Sequence, residues 1–529
     1  MATLYENIRP YDKSEGVALY FENKKISARA MHICIRRLVA YLTDKGIGRG
    51  DIVTVALPNI PLAVYLFYAL DIIGAVQNIM HPLCTFEQLC RESKKLGGRN
   101  VILLESHYYE NKDKIADGDG RFFFVNPMHD ASTLMRYAYY LGCRRAHEDG
   151  ERIFLLDKFR SYEAVKVIEQ RDDSECSVLL HSGGTTGEPK IIELSDRAIS
   201  NLADKVDYIT GDIEGMGMLS VLPLFHGFGL GMGIHAPLSN GAACVLMIKF
   251  KPKKVIKYIN QGKINLMIGV PLLYRKLMLT DGFERARLDR LKFAFVGGDD
   301  VHTSLIDEFD AMMYAHSSGC RMYEGYGLTE TVTVCTVNTQ DRAKCGSVGR
   351  ALRGITVTIR DEEKNLLPTS EVGEVYVSGN TAMNGYHADR ASTLEALVEI
   401  DGKTWVRTGD MGYLDADGYL WLKGRKKRIF KLSGMNVYPS EIEKTASAHP
   451  DVREAALEFY SEPKPHTKLF LLKAADSQRS NEEIKSDIFE ALAREQLKYS
   501  MPSEVIFIDE FPRTKVGKTD HAALKDTQK

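Results

Sequence analysis

Residues 176–190 read CSVLLHSGGTTGEPK. An apolar run, Val178 to Leu180, opens directly into a stretch where glycines, hydroxyl side chains and Lys190 replace everything bulky. Glycines let successive backbone N–H groups converge on one point. Ser182, Thr185 and Thr186 add hydroxyls there and Lys190 adds a positive charge, a combination suited to a polyphosphate. The loop is not G-x-x-x-x-G-K-[ST]: five positions beyond Gly183 stands Glu188, and Lys190 follows a proline and precedes Ile191. A plain surface turn has the same composition, so the rest of the chain must decide.

Outward from the loop, short apolar strands alternate with helical patterns. Ser27 opens a helix carrying Ala28, Met31, Ile35, Leu38 and Leu42 on one face. IVTVALPN from Ile52 reads as a strand and turn, Ile60 to Val76 as a buried helix, and VILLE at 101–105 as a strand. Beyond the loop come a helix capped by Ser195, SVLPL, a glycine-rich helix in PLFHGFGLGMG at 223–233, and AACVLMI. A helix near 252–261, INLMIGV, a helix near 271–279 and KFAFVGG complete the series. This alternation predicts a layered α/β architecture with largely parallel sheets. Past Arg350 the texture changes to antiparallel hairpins, GITVTI, GEVYVSG and GYLDADGYLWL, the last turning at Asp417-Gly418. The basic stretch GRKKRIFKLSG then leads into a compact α+β unit that includes a helix from Asn481 to Leu497. The expected division is a large N-terminal α/β domain with a β-rich subdomain, residues 1–425, and a small α+β C-terminal domain, residues 426–529.

Bulk properties narrow the class. A chain of 529 residues exceeds one core. A net charge of -2 removes any global argument for nucleic acid. The nine cysteines are scattered and odd in number, without a C-x-x-C pair, as in reduced cytosolic proteins rather than disulfide frameworks. The polar N-terminus lacks a secretory pattern, and the longest apolar stretch, broken by Asp71 and Gly74, is too short to span a bilayer. A cytoplasmic location is expected.

Four further polar clusters follow the glycine loop: YEGYGLTE at 323–330, RTGD at 407–410, GRKKR at 424–428 and PRTKVGK at 512–518. In type and order, with HSGGTTGEPK at 181–190, they resemble the motif series of the adenylate-forming superfamily. That superfamily holds acyl-CoA synthetases, adenylation domains of peptide synthetases and the firefly luciferases. The resemblance runs from LPN at 57–59 to the C-terminal lysine motif.

The resemblance implies a set of roles. Ser182, Gly183, Gly184, Thr185, Thr186, Gly187 and Lys190 would form the loop around the β- and γ-phosphates of ATP. Tyr326 would stack on adenine, with Glu324 facing the adenine amino group where relatives often carry an amide. Thr329 would hydrogen-bond the α-phosphate and Glu330 would hold Mg2+, a hard cation suited to carboxylate and phosphate oxygens. Asp410 would accept from the ribose hydroxyls and Arg425 would reach the same sugar and phosphate. His226 would line the carboxylate site in a positioning role, beside an acyl pocket including Gly297, Gly298 and the TVTV run after Glu330. Glycines 227, 229, 231 and 233 either keep that wall low or allow close helix packing. Lys427 would be the hinge of a mobile C-terminal lid, and Lys518 the lysine that enters the site for adenylation.

Taken singly, Tyr326 reads as an ordinary aromatic, Glu330 as a solvated carboxylate and Asp410 as a turn residue. Lys423 to Lys431 reads as a solvated face, and for Lys426 and Arg428 that reading is kept. Together the motifs imply that a carboxylic acid and ATP give an acyl-adenylate and pyrophosphate, after which a thiol displaces AMP. Coenzyme A is the expected thiol, because no carrier module follows the lysine motif; a separate carrier protein is the alternative acceptor. An inactive nucleotide-binding regulatory protein is the alternative from another class.

Overall fold

The computed structural model describes residues 3–117, 119–142, 152–165, 172–182, 190–432, 435–462, 465–474, 477–494, 501–513 and 519–526. Two large sheets carry the N-terminal part. In the first, strands Cys176–His181, Val76–Ile79, Ile52–Ala56, Asn100–Leu104, Arg121–Val125 and Ile153–Leu155 lie side by side in that order, all parallel. In the second, Met322–Gly327, Phe293–Val296, Leu266–Gly269, Gly217–Ser220, Ala243–Leu246 and Val17–Phe21 form a parallel centre. Antiparallel strands close both edges of this sheet, Val334–Val337 and Arg350–Ala351 at one side and Lys24–Ser27 at the other. Parallel strands covered on both faces are rich in apolar residues, and the polar side chains they carry, Thr54, Gln77 and Asn78, are buried and hydrogen-bonded, Asn78 Nδ2 to Thr54 Oγ1 at 3.0 Å and Gln77 Nε2 to Phe67 O at 2.8 Å.

The helices behave as their patterns require. Ser27 caps Ala28–Asp44 by accepting from Ala30 N at 3.2 Å. The helix Pro61–Ile73 is buried around almost its whole circumference, and Gly74 ends it in the left-handed region at φ 78°. Its one acidic residue, Asp71, is buried where it accepts from Tyr5 N at 2.9 Å.

After Arg350 the hairpins appear as expected. Ile355–Arg360, Gly373–Gly379, Lys403–Leu414, Leu397–Ile400 and Leu420–Arg425 build one antiparallel sheet. The Asp417-Gly418 turn joins two of its strands, with Gly418 at φ 81°. Further on, Val452–Tyr460, His466–Lys473 and Glu504–Phe507 form a three-stranded sheet against the helices Pro439–Ser447 and Asn481–Arg494. Val437, Ile442, Leu457, Leu469, Ile484 and Leu492 give this unit a core of its own.

Several elements differ from the pattern reading. The glycine loop is followed by a strand, Ile191–Ser195, before the helix Asp196–Ala203 that Ser195 caps. The short strands Val17–Phe21, Val76–Ile79 and Arg121–Val125 were not separable from their neighbours by periodicity. The glycine-rich segment is a π-helix, Phe228–His235, whose wider turn is closed by Ala236 N bonding Gly231 O.

The four glycines of that segment answer the question left open by sequence. A Cβ at Gly227 would lie 1.8 Å from Val332 O, and one at Gly229 would lie 2.1 Å from Pro223 O. At Gly231 it would meet Leu202 Cδ2 at 2.9 Å, and at Gly233 Ile268 Cδ1 at 3.4 Å. Close packing accounts for Gly227, Gly229 and Gly231, whereas a Cβ at Gly233 would make only ordinary van der Waals contact.

Candidate active site

The glycine loop springs from an antiparallel pair, Cys176–His181 with Ile191–Ser195, in which His181 stands opposite Ile191. Its base is pinned by two hydrogen bonds: Ser182 N donates to Lys190 O at 2.8 Å, and Lys190 N to Ser182 Oγ at 2.9 Å. Among the described residues the Ser182 hydroxyl donates no hydrogen bond. Gly183, Gly184, Thr185, Thr186 and Gly187 lie outside the described residues. Lys190 projects its ammonium over the Tyr386 ring, 4.5 Å from the centroid. Among the described residues it forms no ion pair, and the nearby Asp389 carboxylate feels its charge.

The residues expected to hold the nucleoside come from three strands. Tyr326 and Glu324 sit near the end of Met322–Gly327, Asp410 within Lys403–Leu414, and Arg425 at the end of Leu420–Arg425, directly opposite Asp410 in register. The Tyr326 phenol donates to Asp410 Oδ2 at 2.5 Å, and Arg425 Nε meets Asp410 Oδ1 at 2.8 Å. Asp410 is 6% exposed, so a carboxylate is held almost out of water by a phenol and a guanidinium. Burial and the Asp410 charge together push the Tyr326 phenol well above its ordinary range. Burial works against the charge on Arg425, but Asp410, Tyr326 and Glu330 more than offset it, and its pKa is raised. Glu324 is pushed up to about 8 by burial, with Asp300 adding to the effect and Lys444 opposing it. A carboxyl in that state is neutral at pH 7 and, like an amide, offers one donor and one acceptor.

Thr329 and Glu330 stand in a single 3-10 turn, Thr329–Thr331, that follows this strand. The next residue, Val332, is fully buried at φ 66°, ψ -58° in a γ-turn closed by Thr333 N and Thr331 O at 2.8 Å. A β-branched residue in that region costs about 1–3 kcal/mol. Its carbonyl packs where Gly227 lacks a side chain and its Cγ1 lies against Gly231, which seats Val332 on the start of the π-helix.

Glu330 Oε1 accepts from the Tyr386 phenol at 2.9 Å. Among the described residues Oε2 takes no hydrogen bond. No group of three or more His, Cys, Asp or Glu side chains able to hold a metal occurs among the described residues. Mg2+ in a nucleotide site is held by one or two carboxylates that share the ion with phosphate oxygens and water. Glu330, with one oxygen held and one open, fits such a ligand.

Half-buried His226 lies at the entrance to the π-helix, its carbonyl accepting from Leu230 N at 2.9 Å. Gly298 is exposed at φ 80°, and a Cβ there would stand 3.7 Å from Val270 and 3.9 Å from Phe228. Gly297 instead abuts Gly325 O.

Two assignments are corrected. Lys426 and Arg428 are not a solvated face. Lys426 Nζ lies 3.2 Å from buried Glu374, and Arg428 grips Glu443 at 2.6 Å while also donating to Leu457 O at 3.2 Å. The basic run is therefore stitched into both flanking units, because each unit buries a carboxylate that needs a partner. Lys427, between them, is exposed. Lys518 lies outside the described residues. Sequence reading passed over Tyr386, whose only signal is the GYHAD stretch at 385–389 ahead of a helix capped by Asp389.

Comparisons with known proteins identify the family. The AMP-binding enzyme family matches residues 9–387, and the AMP-binding enzyme C-terminal domain matches residues 441–518. The chain is 27% identical to the long-chain-fatty-acid–CoA ligase of Bacillus subtilis (strain 168), over 95% of this chain and 90% of that protein. It is 26% identical to a 4-coumarate–CoA ligase of Pinus taeda, over 91% and 86%. With the indoleacetate–CoA ligase of Aromatoleum aromaticum identity reaches 32% over 68% of each. Among solved structures, the anthranilate CoA ligase AuaEII with anthranoyl-AMP superimposes with a TM-score of 0.85 at 20% identity, covering 100% of this chain and 97% of that one. ATP-bound MatB from Rhodopseudomonas palustris does so with a TM-score of 0.84 at 22% identity, covering 99% of each. The chain thus belongs to the AMP-binding enzyme family, the adenylate-forming enzymes.

Proposed function

We propose that this chain is an AMP-forming acid–CoA ligase that works in two half-reactions at the site above. In the first, a carboxylate oxygen attacks the α-phosphorus of ATP, the bond to the bridging oxygen breaks, and pyrophosphate leaves. In the second, the coenzyme A thiol attacks the acyl carbon, AMP departs with the bonding pair, and the thiol proton passes to solvent. The observation that carries this reading is the joining of Tyr326, Asp410 and Arg425 in one hydrogen-bonded group, with Glu330 close enough that its charge acts on Arg425.

The chain's residues divide the work. Tyr326 offers a ring to the purine, Glu324 a neutral carboxyl to its edge, and Asp410 an acceptor to the ribose. Lys190 and the loop amides take the leaving phosphates, while Thr329 and Arg425 hold the α-phosphate in line, which is positioning and charge stabilisation rather than covalent catalysis. Mg2+ bound at Glu330 would neutralise phosphate charge. His226 orients the acid, and Lys518 brings a further charge to the departing pyrophosphate. We place the division between the two domains at 425/426, with Lys427 as the pivot; the end of the paired strand at Arg425 and the exposure of Lys427 support this. A reducing, cytoplasmic setting suits the free thiols of the described cysteines.

The test is a panel of acids, 4-coumarate, indoleacetate and long-chain fatty acids among them, assayed for AMP release with and without coenzyme A. Acid-dependent AMP and thioester formation is expected. A chain that binds ATP and releases no AMP with any acid would be a regulatory binder. Thioester formed only on a carrier protein would favour the alternative acceptor.

A further inference from the structure

Tyr386 lies outside the motif series, yet it touches two members of it. Its phenol donates to Glu330 Oε1 at 2.9 Å, and its ring face lies 4.5 Å beneath the Lys190 ammonium. One side chain thus joins the carboxylate assigned to Mg2+ and the cation assigned to the leaving phosphates. Without it those two groups belong to different sheets.

The backbone around Tyr386 is built as a strap between the same two places. At one end Met383 N donates to the carbonyl of Glu330 itself at 2.8 Å. At the other, His387 N donates to Ile191 O at 2.8 Å, one residue beyond Lys190. Between them Gly385–Tyr386 pairs antiparallel with Ile191–Ser195, Asn384 N donates to Glu193 O at 2.9 Å, and His387 Nδ1 meets Glu193 Oε1 at 2.7 Å. Tyr386 N donates to Thr393 Oγ1 at 2.9 Å, and Thr393 is anchored in turn on Asp389 O at 2.8 Å. The Tyr386 backbone cannot shift without breaking this set, and the phenol itself is held by its bond to Glu330 Oε1.

We propose that Tyr386 is a positioning residue that presents the Glu330 carboxylate to the metal and holds Lys190 over the same point. By occupying Oε1 it leaves Oε2 as the open ligand atom and stops the carboxylate from rotating onto Arg425 or Lys190. A charge-assisted phenol–carboxylate bond is strong enough to fix that choice. The ring supplies Lys190 with a cation–π contact that places its charge without neutralising it, as a carboxylate would. The inference rests on the assignment of Glu330 to the metal.

The test is calorimetric binding of ATP to the full chain without acid, with and without Mg2+, in wild type, Glu330→Gln, Tyr386→Phe and Tyr386→Leu. AMP binding and melting temperature report on the fold. Tyr386→Phe keeps the ring and should weaken ATP binding about tenfold with Mg2+, the scale of one charge-assisted hydrogen bond, while metal-free ATP and AMP bind as in wild type. Tyr386→Leu should also weaken metal-free ATP, because Lys190 loses its support. Glu330→Gln should abolish the Mg2+ gain. If Glu330→Gln loses that gain and Tyr386→Phe keeps it, the Tyr386 role is overturned while the metal assignment stands. If Glu330→Gln keeps it, the metal assignment fails and the Tyr386 role with it. Equal losses in Tyr386→Phe with and without Mg2+ would mean a merely structural tyrosine and would also overturn the proposal.

Discussion

The Tyr326 phenol donates to Asp410 Oδ2 at 2.5 Å across 84 positions of chain, joining the ring assigned to adenine and the carboxylate assigned to ribose. The two halves of the nucleoside site therefore respond together. Tyr326→Phe leaves buried Asp410 with Arg425 as its partner and removes a charge-assisted bond. We predict a rise of about tenfold in KM for ATP, the scale of one such bond, with KM for the acid unchanged. Asp410→Asn should weaken ATP and AMP by the same factor, since both carry the ribose; a loss confined to ATP would move Asp410 to the phosphate end.

Glu324 gives a pH signature. With its carboxyl pushed from 4.5 up to about 8 by burial, the unfolded chain releases this proton between those values while the folded chain keeps it. Raising the pH through that window therefore destabilises the fold, by up to about 1.4 kcal/mol per pH unit from this group. Glu324→Gln keeps the neutral amide-like face and lacks the proton, so its stability relative to wild type should grow from pH 5 to pH 8. Denaturant unfolding across that range measures it. Parallel curves would mean that Glu324 is ionised in the folded protein, paired with Lys444.

Lys427 is exposed between two residues that are tied down, Lys426 to Glu374 and Arg428 to Glu443. A pivot there must absorb backbone rotation while its neighbours exchange partners. Lys427→Pro fixes one torsion and should slow thioester formation more than adenylation, measured as separate half-reactions. Equal slowing of both would indicate general damage.

For Lys518, Lys518→Ala should cost adenylate formation about two to four orders of magnitude, the scale of a lost transition-state contact. Supplied acyl-adenylate should still be converted to thioester at a near-normal rate. Survival of both half-reactions would turn attention to Lys515.

Much of this was legible in sequence, for reasons that differ by element. Parallel strands such as Ile52–Ala56, Cys176–His181 and Phe293–Val296 were readable because burial on both faces favours apolar runs, whereas Val76–Ile79, with Gln77 and Asn78 inside, was not; the caps at Ser27 and Ser195 were readable because a hydroxyl must satisfy free helix N–H groups. Tyr326, Asp410 and Arg425 were found through motif order, but their mutual hydrogen bonds depend on three strands from two sheets. Tyr386 escaped because its local GYHAD context says nothing of its partners: its importance lies in Glu330 and Lys190, 56 and 196 positions away. Lys426 and Arg428 were misjudged for a related cause, since their buried partners Glu374 and Glu443 are invisible in a run of basic residues. The π-helix glycines needed coordinates, because only the carbonyls of Val332 and Pro223 reveal what each missing side chain makes room for.

The central claim is that a carboxylate oxygen of the acid becomes bonded to the α-phosphorus at this site. The most direct measurement uses an accepted acid carrying 18O in its carboxylate, with ATP, Mg2+ and coenzyme A, followed by mass analysis of the phosphorus products. Attack at the α-phosphorus predicts that AMP leaves with one 18O and that pyrophosphate carries none. Label in orthophosphate, or none in AMP, would mean activation through another phosphorus or another route and would contradict the account.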